Sequence, residues 1–285
     1  MKKRKRKKKR SRKTWKIGKF VISPKAQLTI CAAASVMLIS TVCFFFVVLG
    51  SYDGLGLPKE IGYNQYDLSG FYEEDGFLHY EDETYTSLVG IDVSYYQEDI
   101  DWQKVADSGV DFAMIRLGFR GYDNGELAID DRYRENLRGA RSAGLDVGVY
   151  FFSQAVTVEE AVEEARFVVR HIRGKGVDMP VVFDMEPIEG ADRITDLTDM
   201  ERTEIADAFC QIIEKNGYRP MVYGNPHWLY NYIDLSYLTR YDTWLAHYGT
   251  ETDYPYSFRM WQYTDSGYVD GISGGVDLNV YLIEK

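Results

Sequence analysis

Cysteine is scarce in this 285-residue chain: Cys31 and Cys43 fall inside one long uncharged run, and only Cys210 lies beyond it. No disulfide can form within the part after that run, so its fold has to rest on an apolar core. Cys210 sits in a helix-like pattern with Ile205, Ala208, Phe209, Ile212 and Ile213, which reads as a buried thiol rather than a nucleophile. Histidine is equally thin. His79, His171, His227 and His247 are scattered without metal-ligand spacing, and there is no His-Glu-x-x-His, no Gly-x-Ser-x-Gly elbow and no phosphate loop. Asp123, Asn124 and Gly125 share part of a calcium loop but lack its remaining ligand spacing, so they read as a turn. No metal and no cofactor are expected.

Acidic residues are missing from the first 52 positions, which hold 14 of the 33 Lys/Arg; the remainder carries 19 basic against 44 acidic residues, a net charge of −25. So acidic a body is a poor partner for nucleic acid, which attracts basic surfaces. The basic head, residues 1–27, precedes an apolar segment whose most hydrophobic part, 28–49, is 22 residues long. About 20 suffice to span a bilayer. The expectation is a single transmembrane helix at 28–50, with the basic N-terminus in the cytoplasm and everything after it outside. A cleaved signal peptide, with Val48, Leu49 and Gly50 as a passable cleavage site, is the alternative and would make the protein secreted. The basic head also suits an anionic lipid surface or nucleic acid, although topology alone accounts for it.

Residues 51–87 are rich in Gly, Tyr, Asp and Glu without a sustained period, as in a stalk or linker. From 88 to 285 the pattern is regular. Strand-like runs occur at 89–93, 112–117, 147–152, 181–184, 221–223, 244–248, 258–263 and 276–282. Helical patterns separate the first five, and each closes on a glycine before the next strand: Gly109, Gly144, Gly176 and Gly217. Capping boxes at Thr157/Glu160 and Thr198/Glu201 mark two helix starts. After Tyr223 there is one short helical stretch and then three strands with little between them. The fold class is therefore α/β: an irregular TIM-like barrel of five βα units followed by three strands.

Such barrels place their chemistry at the C-terminal ends of the strands. The run 181–184 ends there in Asp184, with Glu186 two residues on and Pro187 stopping the strand. Side chains two apart share one face of a strand, about 6.6 Å from each other at the backbone. Asp92 and Asp277 also stand near strand ends, and the first and last strands of a closed barrel are neighbours. Four carboxylates in one partly apolar pocket would push one pKa up, as a general acid requires. The plainer reading gives Asp92 and Asp277 turn or cap roles and leaves Glu186 as a surface acid. Tyr95, Tyr150, Tyr223, Trp261, Gln262 and Tyr263, also near strand ends, suit a sugar, with rings to stack and polar atoms to bond; the rings serve equally as core. Paired carboxylates without a metal or nucleophile motif point to glycoside hydrolysis.

These residues resemble the glycoside hydrolase family 25 lysozymes. The resemblance covers essentially all of 88–285, through Gly90-Ile-Asp-Val-Ser94, the stretch 131–140, Gly148-Val-Tyr-Phe-Phe152, Phe183-Asp-Met-Glu186, Trp261-Gln-Tyr263 and Val276-Asp-Leu-Asn279. It implies a muramidase that cleaves the β-1,4 bond between N-acetylmuramic acid and N-acetylglucosamine in peptidoglycan glycan strands. Position by position it implies Glu186 as general acid, Asp184 as its partner in orienting the substrate or stabilising charge, and Asp92 and Asp277 as the remaining active-site acids. It suggests retention of configuration with assistance from the substrate's acetamido group; the spacing alone leaves inversion open. No repeat or wall-binding module is visible, and a membrane tether would do that work by raising local concentration. Two other readings stay open: a chitinase-like glycosidase, against which Val181 and Val182 count, and a non-catalytic wall-binding protein.

Overall fold

The computed structural model describes residues 51–191 and 193–285, which lie in one unit (Leu49–Lys285), and 15–17, 20–22 and 29–30 in another (Met1–Val48). In the latter, β1 (Trp15–Ile17) and β2 (Phe20–Ile22) pair antiparallel. The helix expected at 28–50 falls outside the described residues apart from 29–30; among the described residues no helix is long and apolar enough to cross a membrane.

Residues 51–87, expected to form a stalk, instead belong to the larger unit and pack on the chain that follows them. Within them β3 (Phe71–Glu74) and β4 (Phe77–Tyr80) form an antiparallel hairpin that buries Phe77, Leu78 and Tyr80. Tyr66 Oη donates to the Phe258 carbonyl at 2.7 Å, and the Lys59 and Asn64 amides donate to the carbonyls of Ser236 and Pro255, both at 2.8 Å. The segment shows no period because it supplies isolated aromatic anchors rather than a continuous face. Each buried ring removes enough apolar surface to be worth about 1.5–3 kcal/mol, so the attachment is a stable part of the fold.

Eight strands then close into a barrel: β5 (Tyr85–Val93), β6 (Phe112–Arg120), β8 (Asp146–Phe152), β9 (Val181–Asp184), β10 (Pro220–Gly224), β11 (Asp242–Ala246), β12 (Met260–Gly267) and β13 (Val276–Glu284). An added strand, β7 (Leu127–Ile129), pairs antiparallel with the end of β6, and the turn between them holds Asp123, Asn124 and Gly125. Neighbours from β5 round to β12 run parallel; β13 alone is reversed, antiparallel to both β12 and β5. Helices α1 (Trp102–Asp107), α2 (Tyr133–Ser142), α3 (Val158–Ile172), α4 (Asp199–Lys215) and α5 (Pro226–Asn231) follow the first five barrel strands. This is the expected order of five βα units and three further strands. Gly109, Gly144, Gly176 and Gly217 all take positive φ where a helix gives way to a strand. Thr198 and Glu201 make the full capping box of α4. Thr157 caps α3, but Glu160 turns away and accepts from the Val156 amide instead.

Two apolar layers hold the barrel. The outer one lies between strands and helices and includes Cys210, buried as expected. The inner one fills the barrel itself with Phe112, Met114, Val182, Met221, Met260 and Tyr281. Gly90 is part of that fit: a Cβ there would stand 2.1 Å from the Phe112 ring. The plug closes the barrel below and leaves its upper end to polar side chains.

Candidate active site

Strand alternation decides which side chains reach that upper end. On β9, Val182 belongs to the plug, and Asp184 and then Glu186 follow on the same face above it. On β6 the series Phe112, Met114 rises to Arg116; on β8, Tyr150 and Phe152 do the same. The reversed β13 delivers Asp277 at its beginning rather than its end, directly opposite Asp92 on β5. All four predicted acids line one cavity of about 330 Å³, with Tyr150, Tyr223, Trp244, Gln262 and Arg116.

An amide network fixes the wall carrying Asp92 and Asp277. Gln262 Nε2 donates to Asp92 Oδ2 at 2.9 Å and to Asp277 Oδ2 at 3.0 Å, bridging the two carboxyls. The carboxylate oxygens accept only, which fixes the amide with its hydrogens towards them, and Tyr223 Oη donates to the Gln262 Oε1 left on the other side at 3.0 Å. Asn279 Nδ2 donates to Asp92 Oδ2 at 2.8 Å, while its Oδ1 accepts from Trp244 Nε1, a donor only, at 2.8 Å. Burial raises the pKa of Asp92, and the amides of Asn279 and Gln262 oppose that rise by stabilising its charged form. Asp277 has less help: burial and the neighbouring Asp92 charge push it up to about 9. Of the two, Asp277 has the stronger pull towards the protonated form, and the amides around Asp92 favour its charged form.

On the facing wall, Asp184 is almost fully buried and its Oδ1 has no hydrogen-bond partner. Burial first, and then the Glu186 charge, drives its pKa well above the carboxylate range. Glu186 is raised too, chiefly by burial, with a hydrogen bond from Asp184 acting in the other direction. Both shifts run towards the protonated form, which favours a proton shared within the pair. Burial favours Asp184 as its resting holder, and Glu186, the more exposed of the two, is the member that can meet a ligand.

Not every predicted contact residue reaches the cavity. Trp261 and Tyr263 flank Gln262 on β12, so they point out of the barrel when Gln262 points in. Trp261 is fully buried, its Nε1 donates to the His247 carbonyl at 2.7 Å, and its ring meets Phe71 edge-on at 5.1 Å. Tyr263 Oη accepts from the Leu78 amide at 3.1 Å. Both are corrected from contact residues to core that seats the β3–β4 hairpin. Tyr95 lies beside the cavity, in a neighbouring groove of about 740 Å³ that shares Tyr96, Arg116 and Phe152 with it. Arg116, not anticipated from sequence, pins that wall: its guanidinium lies 5.0 Å from the Tyr95 ring centroid and its Nε donates to Asp130 Oδ2 at 2.8 Å. A lone charge on the inward face of an apolar strand was its available signal. Asn279, two residues after Asp277 on the same face, was legible by the same alternation.

The family model for glycosyl hydrolases family 25 matches residues 91–272, spanning β5 to the approach to β13. The chain belongs to family 25 of the glycosyl hydrolases. The Escherichia coli (strain K12) protein YegX is 32% identical over 200 residues, covering 68% of this chain and 70% of its own length. Lysozyme M1 of Streptomyces globisporus is 28% identical over 208 residues, 69% of this chain and 68% of that one. Among solved structures, the modular autolysin LytC of Streptococcus pneumoniae superposes with a TM-score of 0.60 at 25% identity, covering 74% of this chain; the chain spans about half of that autolysin, 52%. This family 25 hydrolase is a glycosidase, so a purely structural wall-binding role is set aside. The eight-stranded α/β barrel is the architecture along which it superposes on that solved autolysin.

Proposed function

We propose that this glycosidase cleaves peptidoglycan glycan strands at the β-1,4 bond between N-acetylmuramic acid and N-acetylglucosamine. The observation that carries the reading is the Asp184/Glu186 pair, two acids of raised pKa at the end of β9, facing Asp92 and Asp277 across a cavity lined with aromatic rings. Glu186 passes the pair's proton to the leaving glycosidic oxygen. Asp184 supplies the reserve proton before cleavage and negative charge beside the oxocarbenium centre as the bond breaks; water then forms the new bond to that carbon, and its proton returns to the acid pair. Asp92 and Asp277, bridged by Gln262, form the polar wall that orients the sugar. A lysozyme and an autolysin among the relatives support peptidoglycan as the polymer. Digestion of purified peptidoglycan should release new N-acetylmuramic acid reducing ends, identified by borohydride labelling. N-acetylglucosamine ends instead, or faster digestion of chitin, would refute the assignment.

The sequence supports a further element of the reading: residues 28–50 as an uncleaved membrane anchor that holds the catalytic unit outside the cell, near its substrate. Removing residues 1–50 should release the enzyme from the membrane fraction and reduce its action on intact cells. Unchanged fractionation and activity would remove the tether.

A further inference from the structure

The β9 ladder ends at Asp184, whose Cα partners are Phe152 and Tyr223; Met185 and Glu186 lie beyond it, without strand neighbours. A proton donor there needs something else to hold its backbone. The Ser153 amide donates to the Asp184 carbonyl at 2.6 Å, and one residue on, the buried Gln154 reaches over with its side chain. Gln154 Nε2 donates to the Glu186 carbonyl at 2.9 Å and to the Ser153 carbonyl at 3.0 Å, so both amide hydrogens are engaged. The main-chain carbonyl of Gln154 in turn accepts from Arg193 Nε at 2.7 Å. One residue thus grips the chain where it leaves β9 and again where it returns.

That grip has its own foundation. Glu160 and Glu164, one turn apart on α3, take hold of residues 153–156 from both sides. Ser153 Oγ donates to Glu164 Oε2 at 2.7 Å, and the Val156 amide donates to Glu160 Oε2 at 2.8 Å. Arg120 Nε meets Glu164 Oε1 at 2.7 Å, and Arg193 pairs with the other oxygen of Glu160. A buried ion-pair cluster of this size, off the cavity and touching no predicted catalytic side chain, is costly to build for stability alone. Its mechanical product is a rigid 153–156 turn.

We infer that Gln154 is a positioning residue for the reaction, a staple that sets the height of Glu186 above Asp184 through the Glu186 carbonyl. This rests on Glu186 being the proton donor. A backbone slip of about 1 Å at a catalytic group costs up to about 100-fold in rate. Gln154→Met keeps the length of the side chain and removes both donors.

In the full-length chain acting on soluble glycan fragments, Gln154→Met should lower kcat by about 10- to 100-fold, leave KM within about twofold, and displace the basic limb of the pH–kcat profile. Gln154→Asn, which keeps the amide but cannot span the gap, should not restore the rate. Wild-type kcat and pH profile in folded Gln154→Met would overturn the inference, as would a loss confined to thermal stability. Should that variant not fold, Arg193→Met, cutting the far end of the staple at a partly buried side chain, decides on the same criteria with a smaller expected loss. Glu186→Gln run in parallel separates the two claims: if it keeps wild-type activity, the donor assignment fails, whereas an inactive Glu186→Gln beside an unimpaired Gln154→Met removes the staple alone.

Discussion

Replacing Glu186 with Gln should lower kcat on peptidoglycan fragments by about 10²- to 10⁴-fold, the range attached to loss of a general acid. Gln has the same shape and can still bond to Asp184, so neither the fold nor the cavity has reason to change. What it cannot do is carry a dissociable proton from Asp184 to a leaving oxygen. The loss should therefore depend on the leaving group. A nitrophenyl glycoside, whose phenolate departs without protonation, should suffer less than about tenfold, while a natural glycan link bears the full penalty. The basic limb of the pH–kcat profile reports the protonated pair, since activity falls once pH rises past the pKa at which its proton is lost. In Glu186→Gln that limb should vanish with the rate. Steady-state kinetics on both substrates, with thermal melts as a folding control, check this; a variant within tenfold of wild type on the natural link would remove Glu186 as the donor.

Much of this arrangement was open to reading from period and punctuation. Gly109, Gly144, Gly176 and Gly217 marked the helix ends because a left-handed residue is hard to build otherwise, and the acid pair stood out because Asp184 and Glu186 interrupt an apolar run at its end. The direction of β13 was hidden: a strand's side-chain pattern is the same read either way. Only its register with β5, Asp277 opposite Asp92, places its first acid at the reactive end. Trp261 and Tyr263 were misassigned for a related reason. Aromatics near an active site draw attention, yet alternation allows one face of β12 into the barrel, and Gln262 occupies it. The attachment of residues 51–87 was illegible because it depends on long-range contacts, such as Tyr66 to Phe258, that leave no local signature. Gln154 belongs to the same class, since nothing in its neighbours announces a bond to a carbonyl 32 residues away.

Asp184→Asn should separate activity from stability. At neutral pH the wild-type site keeps several carboxyls close together in a buried cavity, and Asp184 pays most, with a pKa well above the carboxylate range and an unpartnered Oδ1. An acid whose pKa is raised in the folded state contributes stability that is full below its unfolded value, about 3.9, and is lost as pH climbs through the folded value. Asn never ionises, so the variant escapes that loss. It should melt higher than wild type at pH 7, by about 2–4 °C for each kcal/mol relieved, and the difference should shrink towards zero below about pH 3, where Asp184 is protonated in both states. Activity should move the other way, falling by about 10²- to 10³-fold, the usual effect of removing one preorganised electrostatic group from an active site. The surviving activity should also titrate differently. In wild type, loss of the shared proton leaves two adjacent charges, whereas in the variant Glu186 titrates beside a neutral amide that can still bond its charged form, so the basic limb should shift to lower pH. Calorimetry at about pH 3 and at pH 7 with pH-resolved kinetics tests the whole set. A variant that is less stable at pH 7 and titrates like wild type would mean that Asp184 is a structural residue and that the proton on which cleavage depends is held elsewhere.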